Sequence, residues 1–172
     1  GKYIEVLKKR FDENETHNRT GAHFHSSFWP AKLLWLRKDF PDVFVKTERW
    51  LSFSDYVALK LFGTATTSVS MASGTGIFDI RKCDWDPELL KFLKVKAANL
   101  PAMVANDSDT FTLNKKCAKR WPRLAHAKWF LTVADGATDN IGAGCFTNTQ
   151  AALMVGTSGA MRVAYEAEPP GH

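Results

Sequence analysis

Residues 129–137 read Trp-Phe-Leu-Thr-Val-Ala-Asp-Gly-Ala, and the prediction of the fold starts from this stretch. Its first six residues are apolar enough for a buried β-strand, because strands covered on both faces carry continuous apolar runs. Asp135-Gly136 ends the run, and the small residues of 137–144 indicate a helix packed tightly on its neighbours. A strand that leads directly into a helix is typical of α/β domains.

Two further strands are predicted after that helix. Ala151–Val155 and Ala160–Tyr165 are apolar, and the turn Gly156-Thr157-Ser158-Gly159 separates them. Two apolar runs joined by a short turn that contains glycine predict a β-hairpin. The strand, the helix and the hairpin together predict an α/β fold class.

The first two thirds of the chain are predicted to be mainly helical, because apolar residues recur there at helical spacing between proline, glycine and capping signals. The interpretation places helices at 2–11, from Pro30 towards Pro41, and from Pro41 onward. It places two more after a cap at Ser54 or Asp55 as far as Gly63, and from the leading stretch Asp84–Glu88 through Leu93. A short strand is expected at 50–53, and polar loops at 12–21 and 101–119.

Composition excludes several classes of protein. The 172 residues include 23 Lys+Arg and 18 Asp+Glu, which gives a formal net charge of +5, and 45% of them are hydrophobic. These values are typical of a globular domain and exclude a disordered, collagen-like or coiled-coil chain. No apolar run of about 18 residues occurs, so no membrane span is predicted. Cys83, Cys117 and Cys145 are widely spaced and odd in number, which favours reduced thiols and a cytoplasmic protein.

Asp135 is a candidate catalytic residue. It follows a predicted strand, and ligands of α/β sheets bind at the carboxyl ends of strands. A carboxylate there can accept the proton of a substrate hydroxyl, and phosphoryl transfer suits such a weak base because it depends mainly on positioning. The alternative interpretation, which the pattern alone favours, is that Asp135 only caps the following helix.

The turn at 156–159 is a candidate phosphate site. Gly156 and Gly159 allow the backbone to turn tightly and to point N–H groups at a phosphate, and the hydroxyls of Thr157 and Ser158 add donors. The alternative is a plain hairpin turn, which needs the same glycines and is favoured when the turn is considered alone.

Two further stretches allow weaker interpretations. His23 and His25 have no third ligand nearby, so no metal site is predicted, and His25 and Ser27 could instead hydrogen-bond a polyol. The basic stretch 115–128, interleaved with Trp121, allows a nucleic-acid-binding module. Solvated surface is the favoured interpretation of that stretch, because a single short charge run is common on any surface.

Five motifs follow one another along the chain: Thr20-Gly21 with Pro30–Leu36, Ser54–Tyr56 with Leu61–Gly63, Ala72–Asp79 with Asp84–Asp86, Ala134–Ala137, and Val155–Gly159. In this order they resemble the FGGY family of carbohydrate kinases. Within the family, Gly156–Val163 and His25–Pro30 are most similar to gluconokinase-type members, and xylulokinases share the same frame.

The resemblance implies an incomplete ribonuclease H-like, actin-like ATPase fold. Residues 1–146 would be the remainder of the N-terminal FGGY kinase domain, and residues 147–172 the start of the C-terminal one. It also implies ATP-dependent phosphorylation of a sugar or sugar acid, with Mg²⁺. We expect no nucleic-acid or membrane partner. By the resemblance Asp135 is the catalytic base, the sugar is bordered by His25, Ser27, Asp135 and Gly136, and the ATP phosphates contact Gly156, Thr157, Ser158 and Gly159.

The chain also departs from the family pattern. The N-terminal phosphate loop of Asp-x-Gly-Thr type, the Trp-x-Asp segment that touches the sugar and nearly all of the second domain are absent from the 172 residues. We therefore expect an internal piece of a longer protein that is inactive and marginally stable when isolated. The alternatives are a xylulokinase-type pentulose kinase, a nucleic-acid-binding module, and a degenerate sugar-binding or scaffold protein derived from a kinase.

Overall fold

A computed structural model describes residues 1–104, 109–157 and 159–168. The backbone contacts divide the chain into a first unit, residues 1–132, and a second unit that begins at residue 133. The first unit is mainly helical with short strand pairs, and the second is one helix and one hairpin. Across the described ranges, every helix is too short or too polar to cross a lipid bilayer.

The first unit carries short two-residue strands between its helices. β1 pairs with β4 in parallel, and β2 pairs with β3 in antiparallel orientation. Short 3₁₀ turns cover 97–99 and 122–124. The elements are α1 (Lys2–Arg10), α2 (Glu13–Thr20), α3 (Trp29–Asp39), α4 (Pro41–Lys46), α5 (Phe53–Phe62), β1 (Thr66–Thr67), α6 (Val69–Ser73), β2 (Phe78–Asp79), β3 (Asp84–Trp85), α7 (Pro87–Leu93), β4 (Ala102–Met103) and α8 (Lys115–Arg120).

Several helices begin where the sequence predicts, because their start signals are local. Pro30 lies in the first turn of α3 and Pro41 in that of α4, where a missing N–H costs little. Asp86 caps α7, and its side chain accepts a hydrogen bond from the backbone N–H of Leu89 at 2.9 Å. The predicted helices that became α1, α3, α4 and α7 are therefore confirmed.

The predicted loop at 12–21 is wrong, because most of it forms α2. Asp12 caps this helix by accepting the N–H of Glu15 at 2.9 Å, and Gly21 ends it with φ of 68°. Thr16 and Thr20 are buried, and the hydroxyl of Thr20 donates to the carbonyl of Thr16 at 2.8 Å. Apolar periodicity could not reveal a helix whose buried face consists of threonines.

The predicted strand at 50–53 is also wrong. Ser52 is the N-cap of α5, and Ser52 and Asp55 form a reciprocal capping box, in which each side chain accepts the other residue's backbone N–H. The helix therefore begins at Phe53 rather than after Ser54 or Asp55, and it ends at Gly63 as predicted. The loop predicted at 101–119 is interrupted by α8, which Asn114 caps through the N–H of Cys117 at 3.0 Å.

The hydrophobic core of the first unit lies where α1, α3 and α7 meet the β2–β3 pair. Leucines dominate the helical contributions, and two aromatic rings contribute from the strands. The indole N–H of Trp85 is paired inside this core, because it donates to the carbonyl of Pro101 at 3.3 Å. Its large buried side chains include Leu7, Leu33, Leu34, Ile77, Phe78, Trp85, Leu89, Leu90 and Leu93.

A buried ion pair connects α2 to α7. Arg19 Nε lies 2.8 Å from Asp86 Oδ2, and Arg19 Nη2 lies 3.0 Å from Glu88 Oε2. The Asp86 side chain is fully buried, whereas that of Arg19 is 25% exposed. Burial acts to lower the pKa of Arg19, but the hydrogen bond and charge of Asp86 outweigh it, so this pKa is raised. The pair joins residues that are 67 positions apart.

The predicted buried strand at 129–134 is wrong. Only Trp129 is paired, in an isolated antiparallel bridge with Phe111, while Phe130 is 59% exposed and Val133 is 42% exposed. A strand needs neighbours that pair its backbone groups, and the described residues supply such a neighbour only at Phe111. The apolar run therefore forms no strand, and its residues are half-buried or exposed.

The second unit consists of α9 (Asp135–Gly142), β5 (Ala152–Val155) and β6 (Gly159–Arg162). β5 and β6 pair antiparallel with Val155 opposite Gly159 and Ala152 opposite Arg162, which confirms the predicted hairpin. The predicted helix at 137–144 is confirmed as well, although it begins two residues earlier.

Candidate functional site

Asp135 is the first residue of α9. The N-cap position is occupied by Ala134, which makes no side-chain cap, so the interpretation of Asp135 as the N-cap residue is wrong. Asp135 Oδ1 instead accepts the N–H of Gly136 at 2.7 Å, and the residue is exposed. The structure thus presents a carboxylate to solvent at the start of a helix.

Arg162 of β6 lies against Gly136. An ideal Cβ built on Gly136 would be 2.9 Å from Arg162 Nε and 3.3 Å from Arg162 Cζ, so the guanidinium runs along the backbone next to Asp135. Its Nη1 is 4.0 Å from Asp139 Oδ2, and both side chains of this pair are partly exposed. A Cβ at position 136 would displace the Arg162 side chain from this position.

Asn140 connects α9 to β6. It is 1% exposed, and its Nδ2 donates to the carbonyl of Arg162 at 3.2 Å and to that of Cys145 at 3.1 Å. Among the described residues, its Oδ1 has no hydrogen-bond partner. Asn140 therefore fixes the backbone from which the Arg162 side chain extends towards Gly136.

The predicted phosphate-contacting turn lies at the tip of the hairpin. Gly156 and Thr157 are exposed in the turn that follows β5, and Gly159 is the first residue of β6. Ser158 lies outside the described residues. The hairpin brings this turn and Arg162 into the same short element.

His25 and Ser27 lie in the first unit, on the segment between α2 and α3. The backbone N–H of Ser27 donates to His25 Nδ1 at 3.2 Å, and both residues are exposed. Because Nδ1 accepts this hydrogen bond, the neutral imidazole carries its proton on Nε2. The structure brings the two predicted sugar-contacting residues together locally and leaves one N–H donor at the ring edge.

Glu13 anchors the segment that carries His25. Its Oε1 accepts the backbone N–H of Phe24 at 3.0 Å, and its Oε2 lies 2.9 Å from Lys8 Nζ. At the other end of the segment, the N–H of Trp29 donates to the carbonyl of Thr75 at 2.9 Å. The segment is therefore fixed on both sides of His25.

Glu13→Gln is expected to weaken this anchor in a pH-dependent way. The hydrogen bond from Lys8 acts to lower the pKa of Glu13, burial opposes it, and the N–H of Phe24 lowers it further, so this pKa lies below its usual value. The stabilisation is therefore complete above the unfolded-state pKa of about 4.3 and is lost as the pH falls through the folded-state pKa. At pH 7 the variant should be less stable by about 0.5–1 kcal/mol.

Thermal unfolding between pH 3 and pH 7 measures this effect. The difference between the original protein and Glu13→Gln should shrink towards zero at the acid end. Glu15→Gln is the matched control, because Glu15 lies exposed on the same helix. A difference that is constant over the whole range would show that the charge of Glu13 is not involved.

Comparison with known proteins identifies the family of the chain. Residues 2–141 match the model of the FGGY family of carbohydrate kinases, N-terminal domain. The chain is 24% identical over 156 residues to the gluconokinase of Bacillus licheniformis, in an alignment that covers 91% of this chain and 30% of that enzyme. The chain thus spans about 30% of the length of this curated relative.

Solved structures give the same result. The ligand-bound xylulose kinase from Lactobacillus acidophilus superposes with a TM-score of 0.86 and 31% identity, over 93% of this chain and 33% of that one. The gluconate kinase from the same organism gives a TM-score of 0.85 and 32% identity, over 93% and 32% of the two chains.

The matched proteins are carbohydrate kinases. The chain belongs to the FGGY family of carbohydrate kinases. The expected fold class, an incomplete ribonuclease H-like, actin-like ATPase fold of α/β type, is confirmed.

Sequence reasoning assigned no role to Arg162 or Asn140. The sequence of β6 carries no signal for Arg162, because alternation along a strand would place the apolar Met161 on the covered face. The structure instead leaves Met161 73% exposed and Arg162 half-buried. The contact of Arg162 with Gly136 depends on tertiary structure.

Proposed function

We propose that the protein containing this chain phosphorylates a sugar or sugar acid with ATP, and that its preferred substrate is gluconate. The observation that carries the proposal is the exposed Asp135 carboxylate at the start of α9, with Arg162 against the neighbouring Gly136. Membership of a carbohydrate kinase family supports the reaction class. We also propose residues 1–146 as the remainder of the N-terminal kinase domain and residues 147–172 as the start of the C-terminal one.

In the proposed mechanism Asp135 accepts the proton of the substrate hydroxyl that is to be phosphorylated. The resulting oxygen nucleophile forms a bond to the γ-phosphorus of ATP, and the bond from that phosphorus to the β,γ-bridging oxygen breaks, which releases ADP. Mg²⁺, when bound, neutralises phosphate charge. A carboxylate suffices as the base because the transition state of phosphoryl transfer is loose.

Charge on the transferring group needs stabilisation as well. Arg162 is a cation next to Asp135-Gly136, and the turn residues Gly156 and Thr157 offer backbone N–H groups on the same hairpin. Donors that are already in position cost no reorganisation during the reaction, which is why they contribute strongly to rate. We assign Arg162 and this turn, with Ser158 and Gly159, to the phosphates of ATP.

We assign His25 and Ser27 to binding of the sugar, and Asp135 and Gly136 to the hydroxyl that is phosphorylated. The imidazole of His25 presents an Nε2–H donor, and the Ser27 hydroxyl can both donate and accept. A polyol is recognised by such mixed donors and acceptors. The three free cysteines support a cytoplasmic location for the protein.

A coupled assay of ADP release tests the proposal on the full-length protein. With gluconate, xylulose and glycerol as substrates, we expect kcat/KM for gluconate to exceed that for xylulose by at least about tenfold, the effect of one well-placed contact. The reverse order would establish the xylulokinase-type alternative. This is the second candidate because the chain is similar both to a gluconokinase and to a xylulose kinase. Absence of turnover with every sugar and sugar acid would overturn the proposal in favour of a non-catalytic protein.

Gly136→Ala is expected to lower kcat by about tenfold in the full-length protein. The new methyl group would lie 2.9 Å from Arg162 Nε, so the guanidinium must move, and displacements of about 1 Å at a site can cost up to about a hundredfold. Steady-state kinetics measure the change. Gly142→Ala is the matched control on the same helix, because its Cβ would meet no atom within 4 Å. Equal effects of both substitutions would mean that helix α9, rather than Arg162, is affected.

A further inference from the structure

The first unit contains a polar pocket of about 580 Å³, which we call the cationic pocket. It lies between the end of α3, α4 and the segments 47–50 and 94–99. None of its residues belongs to the proposed catalytic site, so the inference below goes beyond the proposed function. The side chains that matter are Arg37, Lys38, Lys94, Lys96, Phe44 and Trp50.

The pocket carries four positive charges and no negative one among its lining residues. In the described part of the chain, none of these four cations is within ion-pair distance of a carboxylate. A concave surface lined by charges of one sign concentrates its field and attracts ions of the opposite sign. The uncompensated charge therefore favours an anionic ligand.

Arg37 is held in place at the edge of this pocket. It is half-buried, its Nη1 donates to the carbonyl of Phe92, and its guanidinium lies 5.6 Å from the centroid of the Phe92 ring. Burial lowers the pKa of Arg37, and no carboxylate acts against this shift. A guanidinium fixed by its neighbours loses less freedom when it binds an anion, and its planar fork suits phosphate.

Lys94 occupies a backbone position at which glycine is the usual residue. It ends α7 in the left-handed region with φ of 60° and ψ of 37°, and its N–H donates to the carbonyls of Leu90 and Lys91. Residues with a Cβ adopt this conformation rarely. A lysine here places a positive charge at the pocket where glycine would suit the backbone better.

Aromatic rings line the same pocket. The rings of Phe44 and Trp50 are 5.0 Å apart between centroids, with an interplanar angle of 39°. Both residues are half-buried, so part of each remains accessible. Indole and phenyl faces stack on planar rings, whereas a simple sugar phosphate would leave them unused.

We propose that the cationic pocket binds a small phosphorylated molecule that carries an aromatic ring, of the class of nucleoside monophosphates. Arg37, Lys94 and Lys96 contact the phosphate, and Trp50 contacts the ring. The volume falls within the range of small-molecule sites. The charges converge on a concavity, whereas nucleic-acid-binding proteins spread them along a face or stripe. This favours a small ligand over a nucleic acid.

Pyridoxal 5′-phosphate is a direct probe, because it combines a phosphate, a planar ring and an aldehyde. Its aldehyde condenses with a lysine amine to an imine with loss of water, and added borohydride reduces the imine to a stable secondary amine. When the full-length protein is treated with a limiting amount of pyridoxal 5′-phosphate, mass spectrometry should find that Lys94 or Lys96 is labelled first. Excess AMP should suppress that labelling. Equal labelling of the exposed Lys115 and Lys116, or no protection by AMP, would overturn the proposal.

Calorimetric titration of the full-length protein with AMP tests whether Lys94 and Trp50 contribute to binding. Lys94→Gly should weaken AMP binding by about tenfold, the scale of one charged hydrogen bond, and should not lower the thermal midpoint because glycine suits this backbone position. Lys116→Gln removes an equal charge outside the pocket and should leave AMP affinity unchanged.

Trp50→Leu should weaken binding of AMP more than that of inorganic phosphate. Unchanged AMP affinity in Lys94→Gly, or much tighter binding of a single-stranded oligonucleotide than of AMP, would contradict a nucleoside monophosphate site.

Discussion

Asp135→Asn in the full-length protein is expected to lower turnover by at least about a hundredfold and to leave the fold intact. An amide cannot accept the substrate proton, and the loss of a general base costs about 10²–10⁴ in rate. The amide oxygen can still accept the N–H of Gly136, which Oδ1 of Asp135 accepts at 2.7 Å, so the start of α9 should keep its geometry. The substitution therefore separates chemistry from structure.

The measurement is kcat with saturating ATP and sugar, together with a thermal midpoint for each protein. Asp109→Asn is the matched control, because Asp109 is an exposed aspartate outside the proposed site. It should leave kcat within about twofold, since surface substitutions of this kind change little. If Asp135→Asn keeps near-normal turnover, Asp135 is not the base, and the mechanism proposed above is wrong.

Asp86→Ala is expected to destabilise the first unit by about 3–5 kcal/mol, the usual cost of breaking a buried ion pair on one side. Two losses combine at this position. The N–H of Leu89 loses its cap, which alone costs about 1 kcal/mol. The guanidinium of Arg19, only 25% exposed, also loses its buried partner.

Arg19→Met combined with Asp86→Ala should recover a large part of the lost stability, because it removes a guanidinium that would otherwise keep only the exposed Glu88 as its partner. Hydrogen exchange of α2 and α7 is the suitable measurement, since unfolding of a larger protein need not be two-state. Glu88→Gln is the control. Glu88 also contacts Arg19, but its side chain is 64% exposed, so the cost should stay below about 1 kcal/mol. Additive effects of the two core substitutions would show that Arg19 and Asp86 are not energetically coupled.

The elements predicted correctly from the sequence are those whose signals are local. Pro30 and the stretch Asp84–Glu88 each mark a helix start within a few residues, and both helices formed there. The segment 129–134 fails for the opposite reason, because a strand exists only when other segments pair with it. The polar helix α2 was missed because its buried face is made of threonines.

The candidate site divides in the same way. The sequence pattern placed Asp135 after a buried strand and before a helix; the helix is present, and the strand is not. The contact of Arg162 with Gly136 needs the hairpin to fold back onto α9, and Asn140 provides the hydrogen bond that holds it there. No local pattern encodes such a contact, so geometry was required to find it.

The ion pair between α2 and α7 also bears on the order in which the chain folds. An eight-residue polar helix has too few hydrogen bonds to persist alone in water. The partner of Arg19 is 67 positions further along the chain, so the entropy of closing that loop is recovered only once α7 is formed. α2 should therefore be absent from the folding transition state and dock late, and its contacts should govern how fast the native state opens rather than how fast it forms.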